Sequence, residues 1–347
     1  MVQTPAISAR HADLWECVDA VLDRLEPQHA LAHDLGPLAA RRLRARGRPV
    51  PPALAQEEKG ARLAAMVAPR ILEQARRAQD GPLLLLKGPE LAARYPGSTR
   101  LFTDLDLLAP DAAATRAALL AGGFDEVDDP TGQYAVLEHH LTPVRLGGLP
   151  LEIELHSKPK WPRHLPEPAM DELFATAVPA SVGVEGLETP DPAHHALLLA
   201  VHAWAHGAFR SARDLLDVAL MTAESDRAEI TRIADSWGIE RLWHTTISAA
   251  DWLWGPPGQQ PPRSVRVFAR HLLTLRDATV VENHFERWVS SFWALPPGPA
   301  AKRSVLELLR DFQRDERGEL RRAKLRRIAR SVRHAFTSAT SEYGWKR

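Results

Sequence analysis

The sequence predicts an α+β fold, in which a small mixed β-sheet is flanked by helices and joined to an all-helical C-terminal domain. Helical hydrophobic spacing dominates both ends of the chain, whereas short strand-like runs between Gly and Pro turns fill the middle. We therefore expect an N-terminal helical segment at 1–78, an α/β core at 79–188 and a helical domain at 189–347. The 347 residues, 45% of them hydrophobic, are enough for a sizeable core.

The N-terminal segment begins with "ARHADLWECVDAVLDRL", and a second helical stretch, "QEEKGARLAAMVAPRILEQARRAQ", follows a Pro-rich break at 47–54. Apolar residues of the first stretch recur at the spacing of one helix face: Leu14, Val18, Val21, Leu22 and Leu25. We expect these helices to pack against the rest of the protein.

The middle of the chain alternates short strands and helices. "GPLLLLKG" is typical of a buried strand, "PELAARYP" of a short helix starting at Pro89, and "LFTDLDLLA" of a second strand. "DAAATRAALLAGGF" predicts a helix capped by Asp111 and ended by Gly122 and Gly123. "YAVLEHHLTPVRL" and "LPLEIELHS" are further strand candidates around a Gly-Gly turn.

Helical spacing returns with a helix that begins near Pro192, for which Thr189 or Asp191 is the expected cap. Breaks are expected at 255–262 and 295–300. The basic stretch "RRAKLRRIARSVRHAF" has an apolar seam, so it fits either an amphipathic helix packed on the protein or a segment that meets RNA or anionic lipid.

Charge balance, cysteine content and hydrophobic patterning bear on which classes of protein the chain fits. Lys plus Arg and Asp plus Glu each total 44, so bulk charge does not indicate a general polyanion binder. Cys17 is the single cysteine, which excludes an intrachain disulfide and favours a reducing compartment. We see no leader-peptide pattern and no apolar run long enough for a bilayer. A soluble cytoplasmic protein without a membrane partner is expected.

Carboxylates are concentrated on two of the predicted strands. Side chains alternate between the faces of a strand, so Asp104 and Asp106 share one face, and Glu152, Glu154 and His156 share one face of another. If these strands are neighbours, the acids converge and repel one another unless a cation neutralises them. Hard divalent ions such as Mg²⁺ take carboxylate oxygens, so these acids are candidate metal ligands, although a polar face that meets solvent is the commoner interpretation of such a pair taken alone.

Basic and glycine residues surround this acidic pair in the sequence. Lys87 and Gly88 follow the first apolar strand, and Arg100 precedes the aspartates by a few residues. Lysine, arginine, a turn glycine and paired acids are the parts of a nucleotide-phosphate site.

These motifs together resemble a known family. "LLLLKGPELAARYPGSTRLFTDLDLL", then "AALLAGGF" and "LEIELHSK", are similar to the uncharacterised bacterial nucleotidyltransferases of the DNA polymerase β-type superfamily. The resemblance extends through "HHALLLAVHAWAHGAFRSARDLLDVALM" and covers roughly 80–225. It implies that the α/β unit is a nucleotidyltransferase core. The Gly-Ser common in the wider superfamily is replaced here by Lys-Gly-Pro, so Lys87 is expected to substitute for the serine at the phosphates.

The resemblance also implies roles for individual residues. Asp104, Asp106 and Glu154 would be catalytic and would hold metal, with Glu152 as the alternative third carboxylate. Nucleotide contacts are implied in a second group: Lys87, Gly88, Arg100 and His156. His156 is expected either to orient Glu154 or to touch substrate.

The implied activity is an EC 2.7.7-type reaction. A nucleoside monophosphate would pass from a nucleoside triphosphate such as ATP to an acceptor nucleophile, releasing pyrophosphate, with two Mg²⁺ ions as the expected cofactor. The acceptor stays open between a small molecule, a peptide and RNA, and so do the preferred base and the oligomeric state. The alternatives are a toxin-like enzyme that modifies RNA and a non-catalytic nucleotide-binding or scaffold protein that retains the fold.

Two other groups on the predicted C-terminal helices could carry function. His202 and His206 have the i,i+4 spacing of zinc ligands, but no further ligand motif accompanies them, so cleft lining or interior packing is favoured. The stretch "FRSARDLLDVAL" predicts i,i+4 ion pairs, Arg210–Asp214 and Arg213–Asp217, on a helix surface. Arg213 or Asp217 would alternatively pack this helix against the α/β unit.

Overall fold

The computed structural model of the chain describes residues 9–128, 141–313 and 336. It confirms the α+β class: helices flank a mixed sheet of seven strands in the described residues, in the order β3-β4-β5-β2-β1-β7-β6. The strands are β1 Leu84–Leu85, β2 Asp104–Leu108, β3 Phe124–Glu126, β4 Val144–Leu146, β5 Glu152–His156, β6 Val178–Pro179 and β7 Glu188–Thr189.

The sheet is mixed because two of its pairings are parallel. β2 runs parallel to β5, and β1 runs parallel to β7, whereas β1 and β2 are antiparallel, as are β3–β4, β4–β5 and β6–β7. β2 and β5 are therefore adjacent central strands. This neighbour relationship is the condition on which convergence of the acids depends.

Helices precede, interrupt and follow the sheet. The N-terminal helices are α1 Ala9–Leu22, α2 Pro27–Ala32, α3 Gly36–Ala45 and α4 Pro52–Ala78, and those between strands are α5 Pro89–Ala92, α6 Ala112–Ala121 and α7 Met170–Ala175. The C-terminal helices are α8 Pro192–His206, α9 Ala212–Ala223, α10 Arg227–Ser236, α11 Glu240–Trp254, α12 Arg263–Phe268, α13 Arg270–Thr274, α14 Val280–Val289, α15 Ser291–Ala294 and α16 Pro297–Gln313.

Local sequence explains where several of these elements begin. The Asp111 side chain accepts a hydrogen bond from the Ala114 amide and caps α6, as predicted. Of the two cap candidates for α8, Asp191 accepts from the first helical amides, while Thr189 belongs to β7. Of the three predicted breaks, 255–262 is confirmed, whereas 47–54 and 295–300 are too long, because Pro52 and Pro297 each open a helix.

Two hydrophobic cores lie on opposite faces of the sheet. Leu105 and Leu107 of β2 belong to a core with α4 and α6, whereas Leu84 and Leu108 belong to the core of the N- and C-terminal helices. The alternation of β2 therefore puts Asp104 and Asp106 on the face that meets α8 and α9. The acids lie between the sheet and the helices.

Two sequence predictions extend beyond the described residues. The strand candidate "YAVLEHHLTPVRL" is described only in its last part, which includes β4, and its residues 134–140 lie outside. Residues 321–335 of the basic stretch lie outside as well. Within the described part of the chain, no helix combines the length and the apolar character needed to cross a bilayer.

Candidate metal and nucleotide site

The register between β2 and β5 pairs the acids of the two strands directly. Asp104 lies opposite Glu152, and Asp106 lies opposite Glu154. Side chains directly opposite on neighbouring strands project from the same face, so these carboxylates share the face that carries His156 two residues further on. A one-residue shift of either strand would turn its acids into the leucine-rich core.

Three potential metal ligands meet at this point: Asp106, Glu154 and His156 each offer one ligand atom within 4.8 Å of the others. His156 Nε2 donates a hydrogen bond to Asp106 Oδ1 at 2.9 Å and lies 3.8 Å from Glu154 Oε2. His156 therefore orients Asp106 directly, where the sequence suggested Glu154 or substrate as its partner. Asp106 is 3% exposed, so its charge is desolvated.

Lys87 supplies the nearest positive charge to this group. Lys87 lies two residues after β1, and the intervening Leu86 donates its amide to the Asp106 carbonyl at 2.9 Å. The Nζ atom of Lys87 lies 3.3 Å from Asp106 Oδ2. Lys87 Nζ also donates to His202 Nε2 at 2.9 Å. The lysine thus connects the acidic strand with α8.

Gly88 occupies a position that only glycine fits well. Its φ is +65°, and a Cβ there would lie 3.0 Å from the Asp104 carbonyl oxygen. A larger residue would push the loop after β1 away from the acids. Gly88 therefore serves the site by letting two backbones approach closely.

Mutual repulsion and burial set the charge states of the carboxylates. Burial opposes the charge of Asp106, but Lys87 and the hydrogen bond from His156 outweigh it and hold the pKa of Asp106 well below its ordinary value. Burial and the charge of Asp106 raise the pKa of Asp104. Burial, reinforced by both aspartates, raises the pKa of Glu154 to about 8. Without a cation, Glu154 consequently keeps a proton at neutral pH.

A cavity of about 240 Å³ opens beside the acids, between the sheet and the α8–α9 helices. Five residues predicted for nucleotide or metal contact line it: Lys87, Gly88, Arg100, Asp104 and Asp106. Asp106 is thus shared by the cavity and the ligand group of three, whereas Asp104 belongs to the cavity and Glu154 to the ligand group. Glu152, half-buried opposite Asp104, belongs to neither.

Arg100 is fixed by a buried ion pair. Its Nε donates to Asp217 Oδ1 at 2.9 Å, its Nη2 donates to Oδ2 at 2.8 Å, and Tyr95 adds a hydroxyl bond to Oδ1 at 2.7 Å. Arg100 and Asp217 are both at most 5% exposed. The prediction that Asp217 packs its helix against the α/β unit is confirmed by these contacts. Phosphate contact by Arg100 stays a prediction.

The predicted i,i+4 pairing on α9 is wrong for Asp217. Its partner is Arg100, while Arg213 Nη2 lies 3.6 Å from Asp34 Oδ2 and 3.4 Å from Asp214 Oδ1. Pairing with residues distant in the sequence replaces i,i+4 pairing because the N-terminal part of α9 faces the cavity and is not a solvated helix surface. Arg210, Asp214 and Arg213 also line this cavity.

Sequence reasoning missed two charged residues near the site. Asp34, in a turn with φ +55°, brings the N-terminal segment to the cavity wall, and nothing in local spacing indicates this. Lys160 lies close enough to Lys87 and Glu154 to feel their charges; burial and Lys87 lower the pKa of Lys160 to about 8. Its position four residues after His156 in "ELHSKPK" was the available signal.

Of the two α8 histidines with the spacing of zinc ligands, only the side chain of His202 is described. His202 lines the cavity beside Lys87, and the ligand group found there does not include it. The side chain of His206 lies outside the described residues. Cleft lining, the favoured interpretation of the sequence, holds for His202.

The donor set fits a divalent cation. Two carboxylates supply the oxygen ligands that hard cations prefer, and the imidazole of His156 is compatible with a softer ion such as Mn²⁺ or Zn²⁺. Asp106 Oδ2 is buried and accepts no hydrogen bond from the described residues, and the Lys87 Nζ that lies 3.3 Å away is its ion-pair partner. A cation would offset the burial and the repulsion that together raise the pKa of Glu154.

Comparison with known proteins agrees with this chemistry. A family model described as an uncharacterised nucleotidyltransferase matches residues 28–255, which include the whole sheet and helices α8–α11 as far as Trp254. Searches of curated proteins and of solved structures found no match to the chain. Since the model spans well over half of the sequence and includes the acids and cavity described above, the chain belongs to the uncharacterised nucleotidyltransferase family.

Proposed function

We propose that this protein is a metal-dependent nucleotidyltransferase of DNA polymerase β type that uses Mg²⁺. It would transfer a nucleoside monophosphate from a nucleoside triphosphate, with ATP a candidate, to an acceptor nucleophile and release pyrophosphate. One observation carries the proposal: Asp106 and Glu154 lie opposite each other on parallel central strands, with ligand atoms within 4.8 Å. Membership of a nucleotidyltransferase family supports the same reaction type.

Asp106 and Glu154 would hold the metal, with Asp104 joining from the same face of β2 and Glu152 as the alternative to Glu154. The bound cation would polarise phosphate oxygens and make the acceptor hydroxyl more acidic. His156 keeps the Asp106 carboxylate in one orientation through its 2.9 Å hydrogen bond. Such preorganisation lowers the cost of assembling the site when substrate arrives.

Cationic side chains line the cavity together with its acids and would meet the phosphates of a triphosphate. Lys87, Arg210 and Arg213 line the same space as the acids, and Gly88 allows a close approach of the backbone. In the transfer, the acceptor oxygen or nitrogen forms a bond to the α-phosphorus, the bond to the β-phosphate oxygen breaks, and the acceptor loses its proton. The cationic wall would stabilise the charge on the departing pyrophosphate.

A pyrophosphate-release assay tests this proposal. The full chain is incubated with Mg²⁺, the four nucleoside triphosphates and either a metabolite extract or total RNA. We expect release with wild type and a loss of at least 100-fold in Asp106→Asn, whereas Asp125→Asn, on exposed β3, should match wild type. Release that is unchanged in Asp106→Asn would contradict the proposal.

Labelled nucleotide identifies the acceptor class in the same reactions. Label found in RNA alone would favour the RNA-modifying alternative, and label in small molecules or peptides would favour a metabolite or peptide acceptor. Tight nucleotide binding without turnover in any pool would favour a nucleotide-binding or scaffold role and would contradict transfer.

A further inference from the structure

The loop at 207–211, between α8 and α9, holds an unfavourable backbone conformation beside the cavity. Phe209 has φ +54°, a region that residues with a bulky side chain rarely adopt. The Arg210 amide donates to the Gly207 carbonyl at 3.0 Å and closes the turn. Arg210 and Ser211 from this loop line the cavity. Because such a conformation persists only where surrounding structure enforces it, the contacts of Phe209 matter to the site.

Two side chains from the C-terminal helices hold Phe209. His271 of α13 donates from Nε2 to the Phe209 carbonyl at 2.7 Å, and the ring of Trp293 in α15 stacks on the Phe209 ring with centroids 3.6 Å apart. Phe209, His271 and Trp293 are all at most 3% exposed. On the other side of the imidazole, Glu286 Oε1 lies 3.3 Å from His271 Nδ1.

The same imidazole contacts a second segment of the cavity wall. The rings of His271 and His33 stack with centroids 5.7 Å apart and an interplanar angle of 9°. The His33 carbonyl accepts from Ser211 Oγ at 2.8 Å, and the next residue is Asp34, which lines the cavity. His271 thus contacts two of the chain segments that line the cavity.

We propose that His271 and Trp293 are positioning residues that hold Arg210 at the cavity for contact with the phosphates of a triphosphate. Both lie beyond residue 255, where the family match ends, so the C-terminal helices α13–α15 complete a site whose acids come from the matched region. The choice of a triphosphate as ligand rests on the proposed function. The fixing of the loop rests on the contacts alone.

Limited proteolysis tests the fixing of the loop without any ligand. Arg210 is exposed, so trypsin can cut after it once the loop opens. We expect cleavage at this bond, followed by peptide mass, to be at least tenfold faster in His271→Leu than in wild type. His271→Gln, which can still donate to the carbonyl, should stay within threefold of wild type. Equal cleavage rates in wild type and a folded His271→Leu would overturn the proposal.

A second pair of variants covers the case in which His271→Leu does not fold. Trp293→Phe keeps a ring against Phe209, whereas Trp293→Leu removes it. We expect tenfold faster cleavage after Arg210 in Trp293→Leu only. Identical behaviour of the two Trp293 variants would count against the role of this ring.

Calorimetric titration with magnesium tripolyphosphate tests the ligand. Arg210→Ala and His271→Leu should each weaken binding about tenfold, and the double variant should lose no more than Arg210→Ala alone, because both changes act on one contact. If the losses of binding free energy in the two single variants added fully in the double variant, the proposal that His271 acts through Arg210 would be overturned. If wild type fails to bind tripolyphosphate, the triphosphate part of the proposal is wrong. A wild type that binds it yet transfers no nucleotide would contradict only the proposed function.

Discussion

Glu154 and Glu152 differ in surroundings although they are two residues apart on one strand. Glu154 meets Asp106 and His156, whereas Glu152 lies opposite Asp104 and outside the ligand group. We expect Glu154→Gln to weaken Mg²⁺-dependent nucleotide binding at least 50-fold and Glu152→Gln to change it less than threefold. Isothermal titration with Mg-nucleotide measures both. The reverse order would assign the third carboxylate to Glu152.

Under the proposed function, protonation of Glu154 would give metal binding a pH dependence. The pKa of Glu154 is about 8 without a cation, because burial and the aspartates disfavour its charge. A cation must displace that proton below pH 8, so Mg²⁺ affinity should rise up to tenfold per pH unit from pH 6 to 8 and level off above.

Proton release on Mg²⁺ binding at pH 7 measures this coupling, by titration in two buffers of different ionisation enthalpy. Glu154→Gln should bind weakly and release no proton from this position. A wild-type affinity that is flat between pH 6 and 8 would be incompatible with a protonated Glu154.

Sequence alone led to the acids but not to all of their partners. Alternation on β2 was enough to place Asp104 and Asp106 on one face. The choice between Glu154 and Glu152 needed the strand register, and the partner of Asp106 needed the position of His156. Asp217 illustrates the limit: helical spacing suggested Arg213, but a residue 117 positions away, Arg100, is its partner.

Among the elements, α9 is joined to the sheet region by a buried charge pair. Removing the carboxylate in Asp217→Ala leaves Arg100 desolvated and uncompensated, so we expect a loss of about 3–5 kcal/mol in the free energy of unfolding. Asp251→Ala is the matched control, because Arg227 and Asp251 form a similar two-bond pair at the exposed surface. The loss in the free energy of unfolding of Asp251→Ala should be about 0–1 kcal/mol.

Urea unfolding followed by circular dichroism compares these two variants. Equal losses in the free energy of unfolding of the two variants would show that burial does not increase the contribution of the Arg100–Asp217 pair to stability. A double variant, Arg100→Met with Asp217→Leu, should recover part of the stability, since it leaves no isolated charge.

Elements were predictable where the signal was local. The capping residue Asp111 predicted the start of α6, and the alternation of apolar and charged residues predicted β2 and β5. Pro52 and Pro297 were assigned to breaks because proline at the first turn of a helix has the same local signal as proline in a loop. The sheet order was not predictable, because it depends on pairings between distant strands.

For the whole molecule, two buried histidines predict sensitivity to acid. Burial and His271 lower the pKa of His33 to about 3, and burial and Arg94 lower the pKa of His195 to about 4. In the unfolded chain both titrate near 6.5, so the unfolded state binds more protons below that pH. Each imidazole should then remove about 1.4 kcal/mol of stability per pH unit between pH 6.5 and 4.

Urea midpoints at pH 7.5 and 5.0 check this expectation. Stability should fall toward pH 5.0, and the fall should be smaller in His195→Gln, which has no imidazole to protonate. A midpoint that is independent of pH over this range would contradict neutral burial of these side chains.

The cavity wall contains residues as far apart in the chain as Asp34 and Asp217. Contacts of such long sequence separation form late when a polypeptide folds, since each requires a large loop to close. During synthesis, the cavity therefore cannot assemble before the segment of α9 has left the ribosome. Under the proposed function, nucleotide binding would consequently require that α9 has packed against the sheet region, and not merely that the sheet has formed.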